Sequence, residues 1–123
     1  MGKNKETLAK KAYIEYTKLR QLRRDADTLT LEVGAINLSV QRYNEILTTA
    51  KDVVSEDQEL LKSIEGLKSL KDCNRGLGGF SVARNKAREI IVESGVLLAA
   101  LDSFIRWYLP VAKQRTIGFR SEK

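Results

Sequence analysis

The sequence predicts an all-α protein, in which a long heptad-bearing N-terminal helix, a short second helix, a glycine-rich loop and a long C-terminal helix pack as an antiparallel helical bundle or coiled coil. Apolar residues recur in alternating steps of three and four over most of the chain, which is the spacing of helices that pack on helices. Pro110 is the single proline and aromatic residues make up only 7% of the chain, whereas sandwiches and barrels usually need more turn residues and aromatics. The 123 residues fit one domain, since domains most often have about 100–150 residues.

The N-terminal helix is predicted over about residues 5–54, and its apolar positions alternate threes and fours without a slip. We call this series the N-terminal seam: Leu19, Leu22, Ala26, Leu29, Val33, Ile36, Val40, Tyr43, Leu47, Ala50, Val54. A match sustained over more than three or four heptads favours a coiled-coil-like interface. An unbroken helix of this length would be about 70 Å long and would need another element or another subunit along its side. The residues expected to bind a second subunit are Leu22, Leu29, Val33, Ile36, Val40 and Leu47.

A β-hairpin that turns at Gly34 is the alternative for the middle of this segment, because apolar and polar residues also alternate on each side of the glycine. The alternation is short, and no Asn-Gly or Asp-Gly pair marks a two-residue turn. The helix is therefore preferred, although a glycine inside it costs about 1 kcal/mol relative to alanine. The pattern leaves open whether the helix continues through Gly34 and Ser55.

The remaining elements follow in order. A short helix is predicted over about residues 56–71, with Ser55 at its N-cap and Gln58 in the capping-box position. Asn74, Gly76 and two further glycines predict a loop over residues 72–80. A last helix is predicted over about residues 81–109 and completes one domain at residues 1–109, followed by a basic tail at residues 110–123. Its apolar face contains Ala83, Ala87, Ile90, Ser94, Leu97, Leu101, Phe104 and Tyr108.

The formal net charge of +6 is unevenly distributed along the chain. Both ends are basic and the middle is acidic, which bears on binding partners rather than on fold. A surface that follows the phosphate backbone of RNA or DNA, without reading bases, is one interpretation of the basic ends; solvated helix faces are the other. Tyr13 and Tyr16 lie among these cations and could stack on bases or simply pack. The candidate polyanion-binding residues are Lys10, Lys11, Lys18, Arg20, Arg23, Arg24, Arg75, Arg84, Lys113, Arg115 and Arg120.

Enzymatic chemistry is not expected. The chain has no histidine and one cysteine, Cys73, so the common acid–base, nucleophile and zinc arrangements lack their usual members. The stretch RGLGGFSVARNK could offer backbone amides to a phosphate, but it lacks the Gly-Lys-Ser/Thr ending of a P-loop. We therefore expect no catalytic residue, no metal and no cofactor, and we interpret the stretch as a flexible loop.

The expected function is that of a non-enzymatic scaffold that forms a homo-oligomer or joins other protein subunits through its heptad seams. The alternative is a sequence-independent nucleic-acid-binding subunit of a nucleoprotein complex, which uses the basic N-terminal helix and C-terminal tail. No secretory signal or membrane span is expected, because the start lacks an apolar region and the most apolar stretch contains Glu93, Asp102 and Arg106. A cytoplasmic location is the corresponding expectation.

Overall fold

The computed structural model describes residues 4–28, 33–72 and 79–119. Within these ranges all regular structure is helical: α1 is Lys5–Thr28, α2 is Val33–Val53, α3 is Gln58–Ile64, α4 is Gly79–Tyr108 and α5 is Val111–Thr116. A 3-10 turn, Val54–Glu56, joins α2 to α3. The all-α prediction is confirmed. None of the helices described is long and apolar enough to cross a membrane.

The predicted single helix over residues 5–54 is two helices, and this is the main correction to the sequence-based prediction. α1 ends at Thr28, α2 begins at Val33, and the two helices pack against each other. The heptad spacing continues from α1 into α2, because each of the two helices has apolar residues on its buried face. The partner that so long a helix would need is therefore the other half of the same segment.

The three long helices form a bundle whose directions can be read from pairs of contacts. Arg23 lies beside Gly95, and the ammonium of Lys5 lies 4.6 Å from the ring centroid of Tyr108, so α4 runs antiparallel to α1. α2 ends one short turn before Asp57, whose carboxylate is bonded to Tyr108, so α2 and α4 end on the same side of the molecule. Both helices therefore run opposite to α1, and α2 is parallel to α4.

The parallel arrangement requires the chain to return along the bundle between α2 and α4. Residues 65–72, the return segment, do so without forming a helix, so the predicted second helix over 56–71 is much shorter than expected. Asn44 on α2 donates to the carbonyl of Leu70 (3.0 Å) and accepts from its amide (2.7 Å). Lys51 donates to the carbonyl of Leu67 at 2.5 Å. Side chains of α2 thus satisfy backbone groups that lack a helical partner.

The short helix α3 begins at a different cap from the one expected. Asp57, not Ser55, is its N-cap, and its carboxylate accepts from the amide of Leu60 at 3.1 Å. Ser55 lies in the 3-10 turn, where its hydroxyl donates to the carbonyl of Asp52 at 2.7 Å. The other carboxylate oxygen of Asp57 accepts from the hydroxyl of Tyr108 at 2.5 Å, which joins α3 to the end of α4.

Residues 111–119 belong to the fold instead of forming a free tail. α5 follows Pro110, and Gln114 donates to the carbonyl of Leu109 (2.7 Å), the residue that follows α4. Phe119 is 6% exposed and makes edge-on contacts with Tyr13 and Tyr16, at ring-centroid distances of 6.2 and 5.5 Å. α4 also begins earlier than predicted, at Gly79, inside the expected loop over residues 72–80.

The core lies where α1, α2 and α4 meet, and both predicted apolar faces contribute to it. The described members of the N-terminal seam are all buried: Leu19, Leu22, Ala26, Ile36, Val40, Tyr43, Leu47, Ala50 and Val54. On α4, the predicted face from Ala83 to Phe104 is buried and Tyr108 is half-buried.

Candidate polyanion-binding site

The solvent side of α1 carries several of the cations predicted to bind a polyanion. Lys10, Lys11, Lys18 and Arg24 are all exposed, on the part of the helix that the buried residues Leu8, Leu19 and Leu22 do not occupy. At about 1.5 Å per residue, this helix offers a surface roughly 36 Å long. Arg23 is exposed too, but it lies on the side of α1 that faces α4, where its guanidinium lies beside Gly95.

A groove of about 750 Å³ lies beside this surface, bounded by α1, α2 and the C-terminal residues Gly118 and Phe119. Three of the predicted cations, Lys18, Arg20 and Arg24, line it, and Arg42 of α2 joins them. The uncharged lining residues are Tyr13, Tyr16, Thr17, Gln21, Leu22, Ile46, Thr49, Gly118 and Phe119. The groove therefore combines four cations with aromatic and hydroxyl groups.

Packing of the C-terminal residues on α1 forms one side of the groove. Phe119 contacts both Tyr13 and Tyr16, and the guanidinium of Arg20 lies 5.6 Å from the ring centroid of Tyr16. Tyr16 is only 3% exposed, so its ring packs inside the protein. Of the two alternatives left open for Tyr16, stacking on a base and packing, its burial favours packing. Tyr13 is half-buried, so part of its side chain remains accessible.

Three carboxylates also line the groove and reduce its positive potential: Glu15, Asp25 and Glu45. Glu15 is 6% exposed, and its carboxylate is 3.2 Å from the ammonium of Lys18. Asp25 accepts from the side-chain amide of Gln21 at 2.9 Å. Two of these carboxylates therefore already have partners on α1, and the exposed cations Lys10 and Lys11 add positive charge outside the groove.

Three further predicted cations, Lys113, Arg115 and Arg84, do not line this groove. Lys113 of α5 forms an ion pair with Glu6, which lowers the pKa of that carboxyl through the hydrogen bond. Arg115 is exposed on α5, at the end of the bundle where α1 begins, whereas Arg84 is exposed near the start of α4, at the opposite end. Arg75 and Arg120 lie outside the described residues. The eleven predicted residues therefore do not form a single patch.

Four of the residues expected to bind a second subunit are instead buried within one chain. Leu22, Ile36, Val40 and Leu47 are at most 3% exposed. Leu29 lies outside the described residues, as does the side chain of Val33. Because the N-terminal segment folds back on itself and α4 covers it, these side chains fill the core of one chain. The prediction that they form the oligomer interface is therefore wrong for the four described residues.

Arg42 is the site residue that the sequence did not indicate. It lies in the acidic middle of the chain, away from every basic cluster. Its exposed position on the outer side of α2 could have been read from the N-terminal seam, since it sits between Val40 and Tyr43. Its position across the groove from α1 depends on the break between the two helices.

Comparison with known proteins identifies no relative: no family model, no curated protein and no solved structure matches the chain. Among the residues that the structure describes, no three acidic or cysteine side chains are grouped so that they could hold a metal ion.

Proposed function

We propose that this protein is a non-enzymatic binding module in which the groove and the solvent side of α1 bind the phosphate backbone of a nucleic acid. The observation that supports this proposal is the meeting of Lys18, Arg20 and Arg24 with Arg42 of a second helix. Cations from two elements along one groove can contact successive phosphates, whereas a basic face on a single helix is common on soluble proteins.

Binding of this kind is independent of sequence. The basic residues reach phosphates, and the aromatic side chain that remains accessible in the groove is that of Tyr13, which is half-buried. One base could stack against it, because every base has an aromatic face. The three carboxylates of the groove would weaken binding, since they repel the same phosphates. Salt would screen this repulsion together with the attraction of the cations.

Fluorescence anisotropy with labelled single-stranded RNA and duplex DNA, measured over a range of salt concentrations, tests this proposal. The variant carries Lys18→Gln and Arg42→Gln, which remove two cations from opposite sides of the groove. We expect its affinity to fall about tenfold and the slope of log affinity against log salt to decrease by about 1.4–1.8. The matched control carries Lys62→Gln and Lys68→Gln, two exposed lysines outside the groove, and should bind as the unmodified protein does.

Equal affinity and an equal salt slope in the Lys18/Arg42 variant would remove the groove as a nucleic-acid site. Comparison of the two nucleic acids then identifies the preferred form, because tighter binding to the single strand favours stacking and tighter binding to the duplex favours backbone contacts alone.

A scaffold function is the second proposal, and it now requires a surface other than the N-terminal seam. The observation that favours it is an exposed apolar face on α4, where Val92, Val96 and Trp107 are 65%, 44% and 56% exposed. This face contains none of the residues that line the groove, so the two functions can be tested separately.

A further inference from the structure

The groove beside α1 contains a row of uncharged side chains. Tyr13, Thr17 and Gln21 follow one another at steps of four residues, and all three line the groove. Side chains four residues apart are neighbours on a helix, so these three form one row along α1, which we call the neutral row. Thr17 and Gln21 are exposed and Tyr13 is half-buried. At about 1.5 Å per residue, the neutral row is roughly 12 Å long.

Cations lie on both flanks of the neutral row. Arg20 and Arg24 lie on one flank, because each follows a member of the row by three residues. Lys18 precedes Gln21 by three residues and lies on the other flank. Arg42 reaches the same groove from α2. A polyanion that follows the row therefore meets positive charge on both sides, while its middle faces an aromatic ring, a hydroxyl and an amide.

This arrangement suits an unpaired strand, in which bases and phosphates are both accessible. The phosphates can reach the flanking cations while one base stacks on Tyr13, the accessible aromatic ring of the groove. In a duplex the bases are paired and stacked inside, and only their edges are accessible in the two grooves. A duplex would therefore use the cations and leave the neutral row without a partner.

A carboxylate at the end of the neutral row favours the same ligand. Asp25 follows Gln21 by four residues and accepts from its side-chain amide at 2.9 Å. A carboxylate repels a phosphate, but it can accept a hydrogen bond from the amino group of a base. A group that weakens binding of a phosphate backbone alone can therefore stabilise a strand whose bases face the groove.

The groove is also too small to admit a duplex. Its volume of about 750 Å³ lies within the range of sites that enclose one small molecule, about 300–1,000 Å³. The major groove of duplex DNA alone is about 12 Å wide, so the whole duplex is wider still. A duplex could contact the exposed cations at the rim, but it could not reach the neutral row.

We infer that the groove binds a single strand of RNA or DNA in preference to a duplex, with one base stacked on Tyr13 and the adjoining phosphates between the flanking cations. This inference rests on the nucleic-acid function proposed above and names the form of its ligand. The chemistry that the two sources share is an unpaired base on a phosphate backbone.

Fluorescence anisotropy at low salt tests the inference with four labelled probes: oligouridylate, oligothymidylate, an abasic strand and duplex DNA. Each has a length of about 16 nucleotides or base pairs, the upper end of the range that a strand-binding fold covers. We expect at least one of the two strands with bases to bind about tenfold more tightly than the abasic strand and the duplex, because stacking adds to the phosphate contacts. Charge alone predicts the tightest binding for the duplex, which has twice as many phosphates. The tighter of the two strands with bases identifies RNA or DNA as the source.

Substitution of Tyr13 tests the stacking contact. Tyr13→Leu removes the ring and should abolish the preference for a strand with bases, while binding of the abasic strand stays the same. Tyr13→Phe keeps the ring and should keep the preference. The matched control is Trp107→Leu, which removes a ring that is 56% exposed on α4, outside the groove, and should also keep the preference. Circular dichroism shows whether each variant is folded.

A second measurement keeps an aromatic ring at the site. Tyr13→Trp combined with Trp107→Phe leaves the chain with a single tryptophan, which lies in the groove. Its fluorescence should be quenched by a strand with bases and unchanged by the abasic strand, because only a base can stack on the indole ring.

Salt-dependent binding that is equal for all four probes, or tightest for the duplex, would overturn this inference and leave the proposed function standing. A preference that survives Tyr13→Leu, or a tryptophan that both strands quench equally, would overturn the assignment of the stacking contact to Tyr13. No binding of any probe at low salt would overturn the proposed function and this inference together, so the two failures are distinguishable.

Discussion

Two hydroxyl groups in the core have no hydrogen-bond partner within the part of the chain that the structure describes. They belong to Tyr43 and Ser94, both 0% exposed. Burial, together with the charges of Glu93 and Glu89, raises the pKa of the Tyr43 phenol, so this group stays neutral over the ordinary pH range. A buried polar group without a partner loses its bonds to water and gains none in return. These hydroxyls therefore reduce the stability of the bundle.

Tyr43→Phe removes one of these hydroxyls and keeps the ring. We expect the free energy of unfolding to rise by about 1 kcal/mol, as measured by urea denaturation. Tyr108→Phe is the matched comparison, because it removes a hydroxyl that donates to Asp57, and it should lower the free energy of unfolding. A Tyr43→Phe variant less stable than the unmodified protein would show that this hydroxyl has a partner in solution.

Asp57 should make stability depend on pH in the acid range. The hydrogen bond from Tyr108 lowers the pKa of Asp57, and the amide of Leu60 contributes in the same direction. Because the folded-state pKa is below the unfolded one, the stabilisation is complete above the unfolded value, near pH 4, and is lost as the pH falls towards the folded value. Asp57→Asn should therefore flatten the dependence of unfolding free energy on pH below about pH 5. An unchanged acid profile in this variant would contradict the assignment.

Burial of individual residues was largely predictable from the sequence, whereas their partners were not. Leu19, Ile36 and Leu47 are buried because the heptad spacing puts them on one face of whichever helix carries them. Spacing does not reveal whether that face meets another subunit or the same chain. The groove illustrates the limit: Lys18 and Arg42 are 24 positions apart, and only the break between α1 and α2 brings them together.

At the scale of elements, two side chains of α2 make the polar contacts that hold the return segment, whose Leu67 and Leu70 also pack against the core. Asn44 makes a pair of hydrogen bonds with the backbone of Leu70, and Lys51 bonds to the carbonyl of Leu67. Polar side chains of α2 thus bond to backbone groups that would have backbone partners if the segment were a helix or a strand. Loss of these polar contacts should loosen the backbone of the segment first, because the apolar contacts of Leu67 and Leu70 remain.

Asn44→Ala should lower the free energy of unfolding by about 1–2 kcal/mol, because two backbone groups lose their partners. Hydrogen exchange at the Leu70 amide should speed up more than exchange at amides inside α2. Thr48→Ala is the control, since its exposed hydroxyl donates to the carbonyl of Asn44 within α2, and it should leave the Leu70 amide protected. Equal protection of Leu70 in both variants would show that other contacts hold the segment.

The return segment also explains why the second helix was predicted too long. Leu60, Ile64 and Leu67 have helical spacing, and nothing among residues 65–72 breaks a helix except Gly66. Helix formation there competes with hydrogen bonds to α2. Lys51 is 16 positions from its partner Leu67, and Asn44 is 26 positions from its partner Leu70. Local patterns in the sequence do not report such distant interactions. The predicted bounds of the last helix, about 81–109, agree closely with Gly79–Tyr108.

At the scale of the whole molecule, the C-terminal residues close the bundle. Phe119 is buried against Tyr13 and Tyr16, and Gln114 bonds to the carbonyl of Leu109 near the end of α4. Residues that the sequence assigned to a basic tail therefore stabilise α1, at the far end of the chain. The sequence predicted their charge correctly but gave no sign of the ring contacts, which depend on α1 and α5 lying at the same end of the bundle.

Phe119→Ala should lower the free energy of unfolding by about 3 kcal/mol, because it removes a buried ring and leaves a cavity beside two tyrosines. Urea denaturation measures this change. Val111→Ala is the control, since Val111 is 62% exposed and its substitution should have little effect. A small loss in Phe119→Ala would restore the interpretation of these residues as a tail.

The ion pair between Glu6 and Lys113 has a consequence for how the fold can be rearranged. It joins the first turn of α1 to α5, so the polypeptide enters and leaves the bundle at one place. Proteins whose ends meet in this way usually tolerate circular permutation and insertion into a loop of another protein. A short flexible linker from residue 119 to residue 4, with new ends opened in the return segment, should therefore preserve the bundle. The same geometry would allow this domain to be carried as an insert on the surface of a larger protein without stretching either connection.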